Sequence, residues 1–194
     1  MSKRQRPITN EKVDARVQRT RVQLREALLE LVQRKPIGEI TVRELTAHAN
    51  VSYPTFFRHY PDLANLLEDV ADEFIRDLLS ATLPLFENAD IRAASVTLAQ
   101  FINERRPLSY ALLAGGAGGS VSQGFVRKAL ETAESLSDIR FRDLPSGLGV
   151  FYTVSALIAL LVWWLNSSGD VSPDKMGELI DRLVFSPAME NDDL

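Results

Sequence analysis

Over residues 11–34, apolar side chains recur at Val13, Val17, Leu24, Ala27, Leu28, Leu31 and Val32. Spacing of three and four places such residues on one face of a helix. Lys35-Pro36-Ile37-Gly38 ends that helix, because proline biases its predecessor away from helical angles and glycine accepts almost any. Thr41-Val-Arg-Glu44 then has the spacing of a capping box, which predicts a short helix to about His48 with Val42, Leu45 and Ala49 toward the core. Asn50 tolerates the left-handed conformation that leaves a helix sharply. Ser52 suits an N-cap and Pro54 a first helical turn, so a second short helix follows to about His59.

Pro61-Asp62 opens a longer helix with the stripe Leu63, Leu66, Leu67, Val70, Phe74 and Leu78, which Pro84 should disturb. Further helices are expected near 91–104, 108–113 and 123–136, divided by Arg105-Arg106-Pro107 and by Gly115-Gly-Ala-Gly-Gly119. Residues 148–165 form an uncharged run, and Ser172-Pro173-Asp174 opens a last amphipathic helix to about Phe185. The fold class is therefore all-α, with about nine helices and no convincing strand or repeat. Residues 1–61 read as a three-helix module with a basic tail, and residues 62–194 as a larger helical domain.

Two short helices joined by a tight turn and preceded by a longer one are the parts of a helix-turn-helix, whose second helix enters the DNA major groove. Charge agrees with that reading. Residues 1–60 hold 12 Lys/Arg against 6 Asp/Glu, net +6, whereas residues 61–194 hold 10 against 20, net −10. Basic residues gain affinity for DNA by releasing condensed counterions, so a basic module on an acidic body can bind it despite an overall charge of −4. A solvated amphipathic helix is the plainer explanation of the same charges.

Other chemistry lacks its local signals. With no cysteine there is no disulfide, zinc-thiolate site or thiol nucleophile, which suits a reducing compartment, and the cytoplasm is the expected location. Met1 to Arg6 is basic but no apolar run follows, so it does not read as a secretory signal. The two histidines, His48 and His59, both fall in the helix-turn-helix, no His-Glu-x-x-His occurs, and the 115–119 glycine run lacks the Lys-Ser/Thr of a phosphate loop. No catalytic residue, metal site or cofactor is expected.

The stretch Ile40-Thr-Val-Arg-Glu-Leu-Thr-Ala-His-Ala-Asn-Val-Ser-Tyr-Pro-Thr-Phe-Phe-Arg-His-Tyr60 resembles the DNA-binding signature of the TetR family of transcriptional regulators. The resemblance covers roughly residues 15–67. It implies that Thr41 and Arg43 touch the phosphate backbone, and that Tyr53, Pro54 and Thr55 read bases beside Ser52. Phe57, His59 and Tyr60 fall where the family has an aromatic, a histidine and another aromatic that clamp the recognition helix to backbone and core. His59 fits a structural hydrogen-bonding role equally well, and Phe56 is expected in the core. Three positions depart from the pattern: Asn50 for the turn glycine, Phe57 for a common tyrosine, and Leu63 for a frequent phosphate-contacting lysine. Affinity would then lean on Arg16, Arg19 and the tail Lys3, Arg4 and Arg6, unless the tail stays disordered.

The uncharged run at 148–165 sits at the lower length limit for crossing ~30 Å of hydrocarbon, but Gly149, Tyr152, Thr153 and Ser155 dilute it and no Lys/Arg anchor follows. A helix apolar all round is otherwise buried on all sides, most simply between its own domain and a second subunit, so a homodimer and no membrane is the expectation. The resemblance implies a four-helix dimer seam with Val154, Leu157, Ile158, Leu161, Trp164 and Leu165 from this helix, and Met176, Leu179, Ile180 and Leu183 from the last. Trp163-Trp164-Leu-Asn and the following Ser-Pro-Asp start also resemble the C-terminal domain of a dihydroxyacetone-kinase-activator type within the family. Family members hold an effector pocket between these parts. Phe86, Phe101, Phe125 and Tyr152 are its candidates by position and chemistry, with plain core as the alternative for each, and a small apolar ligand would then release a repressor from its operator. A helical adaptor acting through protein contacts is the competing function.

Overall fold

The computed structural model describes residues 9–88, 90–114, 126–127, 130–131, 145–167 and 171–188, and all regular structure among them is helical. Helix α1 (Thr9–Val32) buries Leu24, Ala27, Leu28, Leu31 and Val32, the stripe its spacing predicts. The Pro36 break becomes a 3-10 turn, Ile37–Glu39, that buries Ile37. Helices α2 (Val42–His48) and α3 (Tyr53–His59) follow, both packed on α1.

Helix α4 (Leu63–Glu87) starts where the Asp62 carboxylate accepts the Asn65 backbone N–H at 3.0 Å. It runs through Pro84 instead of breaking there. The proline is exposed and lies in the last turn, where only one intrahelical bond is lost. Helix α5 (Ile91–Glu104), capped by Asp90, lies between α4 and α8 (Pro173–Ile180) and forms the centre of the body. Gly177 of α8 meets α5 so closely that a Cβ there would lie 2.5 Å from the Val96 Cα.

Helix α6 (Arg106–Leu113) begins earlier than the sequence suggests, because Pro107 occupies its first turn and does not separate it from α5. Helix α7 (Ser146–Asn166) packs on α6, and a π turn, Asp181–Phe185, extends α8 to Ser186–Ala188. Arg106 fastens α6 to the end of α7: its Nη2 donates to the carbonyls of Trp164 at 3.0 Å, Leu165 at 3.2 Å and Ser167 at 3.4 Å. A cation at the C-terminal carbonyls of a helix also suits its dipole. By length and composition α7 could cross a membrane, with mean hydropathy 2.1 over residues 147–166, and a third of that stretch is buried inside the protein.

Several expected roles change once burial is known. Leu161, Trp164, Leu165, Met176 and Ile180 are buried within the subunit and cannot form a seam with another, because their faces of α7 and α8 already pack on α5 and α6. Val154, Leu157, Ile158 and Leu179 are half-buried, and Leu183 is exposed. The outward apolar residues of α7 are Leu148, Phe151, Tyr152 and Trp163, a stripe rotated from the expected one. Phe101 is core, edge-on to Phe74 at 5.1 Å, and Phe86 packs edge-on to Phe185 at 5.1 Å. Tyr152 is half-exposed, and Phe125 lies outside the described residues. The tail basics and the 115–119 glycine run lie outside them as well.

Candidate nucleic-acid interface

The surface is built by the chemistry of the α2–α3 turn. Thr41 caps α2, its hydroxyl oxygen accepting the Glu44 backbone N–H at 3.2 Å. Glu44 completes the capping box and also takes a hydrogen bond from Lys35, which anchors α2 to the end of α1. That bond, the Lys35 charge and the Thr41 N–H hold the Glu44 carboxyl below the usual range. At the other end His48 Nε2 lies 2.6 Å from a Glu30 carboxylate oxygen on α1.

Asn50 has φ 52°, the only positive φ outside glycine among the described residues. With Asn50 left-handed, the Val51 N–H reaches the Thr46 carbonyl at 2.9 Å and the Asn50 N–H the Ala47 carbonyl at 3.3 Å. These two bonds satisfy the last carbonyls of α2 and reverse the chain within two residues. Helix α3 then starts at Ser52, with backbone bonds from Thr55 (2.8 Å) and Phe56 (3.2 Å) to the Ser52 carbonyl. The Ser52 hydroxyl is not the expected side-chain cap: it pairs with the Thr55 hydroxyl at 2.7 Å.

Periodicity divides α3 into an anchor and an outward face. Phe56 is fully buried, whereas Tyr53 and Phe57 are 46% and 45% exposed and lie edge-to-face at 5.0 Å. Ser52, Pro54 and Arg58 are exposed and Thr55 partly so. From α2, the Arg43 guanidinium reaches 5.9 Å from the Tyr53 ring centroid, which brings Arg43 and Tyr53 onto one surface. Thr41, Arg16 and Arg19 are exposed too. The face thus presents two aromatic rings, a proline and hydroxyls, flanked by guanidiniums. Such a surface can lay apolar groups against thymine methyls while cations meet phosphates.

Of the expected contact residues, Tyr60 is buried and His59 half-buried. Tyr60 is 3% exposed, and its hydroxyl donates to the Asp69 carboxylate on α4. Burial first, then that hydrogen bond, pushes the phenol pKa up, so Tyr60 clamps α3 to the core and presents nothing outward. His59 is half-buried, and burial, then the charges of Arg21 and Arg58, depresses its pKa. Sequence reasoning did not find the ladder behind Tyr60. Asp69 also meets Arg25 Nη1 at 3.5 Å, and Arg25 Nε meets Glu73 at 3.2 Å, so Arg25 is spent on α4 rather than free for DNA. Arg21 lies 5.5 Å over the Tyr60 ring.

Residues 24–70 match the family described as bacterial regulatory proteins, tetR family. An uncharacterized HTH-type transcriptional regulator, YxbF of Bacillus subtilis (strain 168), is 24% identical over 170 residues, 84% of this chain and 44% of that protein. The chain thus spans less than half the length of the curated relative it matches. A TetR transcriptional regulator from Streptococcus agalactiae 2603V shares the fold at TM-score 0.64 and 20% identity, covering 90% of this chain and 99% of that one. The dihydroxyacetone kinase operon activator DhaS shares it at TM-score 0.56 and 16% identity, over 89% of this chain and 98% of that one. The resemblance of the C-terminal part to that activator type is therefore met as a likeness of fold. Residues 24–70 thus match the tetR family of bacterial regulatory proteins in sequence, and the described residues share the fold of solved regulators of that kind.

Proposed function

We propose that the chain is a DNA-binding transcriptional regulator, not an enzyme, that docks on its operator as a homodimer. The observation that carries this reading is the outward face of α3: Tyr53 and Phe57 lie half-exposed on a short helix whose opposite side, Phe56, is fully anchored. Exposing two large aromatics side by side is unfavourable in water unless a partner covers them. In this reading residues 1–61 are the DNA-binding unit and 62–194 the regulatory and dimerising one. Tyr53, Pro54 and Thr55 read base edges, with Ser52 at base or phosphate. Thr41 and Arg43 position the module on phosphates, His59 lies behind them, and the ring of Phe57 packs against sugar or methyl groups.

The dimer surface we favour differs from the expected one. Leu148, Phe151, Tyr152 and Trp163 of α7, with Leu183 beyond α8, form the exposed apolar face that a second copy would cover. Two α3 helices joined this way would address half-sites about 34 Å apart, or a multiple of it, on one face of the duplex. Occupied DNA would block a promoter, and a ligand that changes the spacing of the two helices would release it. Selection of bound fragments from a genomic library, followed by gel shifts over a salt series, tests the reading. One sequence class should be enriched, with log affinity falling linearly in log salt. Retention of no fragment would defeat it in favour of a protein-binding adaptor, and equal, salt-insensitive retention of all would defeat it outright.

A further inference from the structure

Where α1 crosses α4, a groove of about 650 Å3 opens between these two helices and the α5–α6 corner. Its walls follow helical spacing, with residues 22, 25, 26 and 29 from α1, residue 33 just past its end, and residues 70, 73, 74 and 77 from α4. Buried Val70 and Phe74 form its floor, partly buried Leu29 and Leu108 flank it, and exposed Val22 stands at its mouth. A cavity of this size holds a drug-sized molecule.

The charges around that apolar floor do not balance. Four carboxylates, Glu26, Glu73, Asp77 and Glu104, face two guanidiniums, Arg25 and Arg105. Both cations are engaged: Arg25 with Glu73 and Asp69, and Arg105 with Glu104 at 3.1 Å while stacked 3.9 Å over the Phe101 ring. Glu26 and Asp77 have no ion pair among the described residues. An anion entering the groove would meet that excess negative field, and a neutral molecule would desolvate the carboxylates without return. An apolar body carrying a positive charge satisfies both floor and rim.

We propose that the groove binds a lipophilic organic cation, and that the bound cation draws Glu73 away from Arg25. The same guanidinium holds Asp69, and Asp69 accepts the hydroxyl of Tyr60, the residue that ends α3. Competition at Glu73 therefore reaches the C-terminal clamp of the recognition helix through three side chains, and cation and DNA affect each other's affinity reciprocally. The coupling rests on the DNA interface proposed above, whereas binding in the groove does not.

Tetraphenylphosphonium and tetraphenylborate have nearly the same shape and opposite charge, which makes them the probes of choice for calorimetry on the purified full chain. The phosphonium should bind once per chain, at least tenfold more tightly than the borate. Glu73→Gln combined with Asp77→Asn should weaken it at least tenfold. Val22→Trp, which fills the mouth from an exposed position and leaves every charge in place, should do the same, so the test survives if the charge variant fails to fold. Equal affinity for the two ions, or phosphonium binding unchanged by Val22→Trp, overturns the site. In gel shifts, saturating phosphonium should release selected DNA from the unaltered chain but not from Val22→Trp. Release absent at saturation overturns the coupling alone. A chain that takes the phosphonium but binds no DNA overturns the DNA reading and leaves the groove standing.

Discussion

Asn50 shows how one residue can be read from sequence with its reason attached. Asparagine between two short amphipathic segments implies a left-handed turn, and φ there is 52°. Asn50→Gly should therefore be close to neutral in a denaturant melt, while Asn50→Ala should cost about 1–2 kcal/mol, the penalty of placing a Cβ in that region. Equal effects of the two substitutions would mean that the Asn50 side chain matters for something other than backbone freedom. Thr55 is part-exposed and shares its hydroxyl with Ser52. Thr55→Ala should reduce discrimination by about 1–3 kcal/mol at one base position, scored on a panel of single-base operator variants. Uniform weakening over the panel would assign Thr55 to the backbone. Tyr60 was less legible: an aromatic near the end of α3 fits either an outward or an inward role. Only the angle between α3 and α4 decides that its hydroxyl meets Asp69.

His59 carries a pH dependence whose sign follows from its surroundings. Burial, with Arg21 and Arg58 nearby, lowers its folded pKa, so the unfolded chain takes up a proton first as the solution is acidified. Its contribution to stability is unpenalised above the unfolded value of about 6.5 and falls as pH drops from there through the folded value. Melting the unaltered chain and His59→Gln between neutral and mildly acidic pH should show a shallower slope in the variant. Parallel slopes would place the titration elsewhere.

At the scale of elements, periodicity located α1 to α5 because each has a one-sided stripe and a capping or breaking residue at its ends. The start of α6 was misplaced for a definite reason: proline is equally at home between helices and in a first turn, and position 107 uses the second option. The face of α7 was misjudged for another. A helix apolar all round has no amphipathic direction in its sequence, so only its packing on α6 shows that Leu161, Trp164 and Leu165 look inward and Phe151 and Trp163 outward. The α5–α8 crossing was invisible in the same way, since one glycine in an amphipathic helix does not disclose its neighbour. Gly177→Ala should destabilise the fold by about 1–3 kcal/mol, as over-packing does. Val96→Ala should not restore it, because the added Cβ would meet the Val96 backbone, with Cα at 2.5 Å and N at 2.9 Å. Recovery in the double variant would move the conflict to the valine side chain.

For the whole molecule, the basic front and acidic body were legible as charge, and the family's module as an ordered run of capping, turn and anchoring residues. Assembly was not, because a seam depends on which apolar residues remain after the subunit has folded. Phe151 and Trp163, at 58% and 53% exposure, are the most exposed of those left over. Phe151→Asp with Trp163→Asp should halve the particle mass in sedimentation and weaken binding to a full operator far more than to a single half-site. An intact dimer would place the seam on another face. Arg106 gives the body a further property. By grasping three carbonyls at the end of one helix from the first turn of another, it turns the pivot of α6 and the tail of α7 into one stiff corner. A tilt imposed on α7 by a neighbouring subunit would then travel as a lever into the shoulder on which α1 rests. Arg106→Ala, which removes the one Nη2 donor that these carbonyls share, should leave that lever slack.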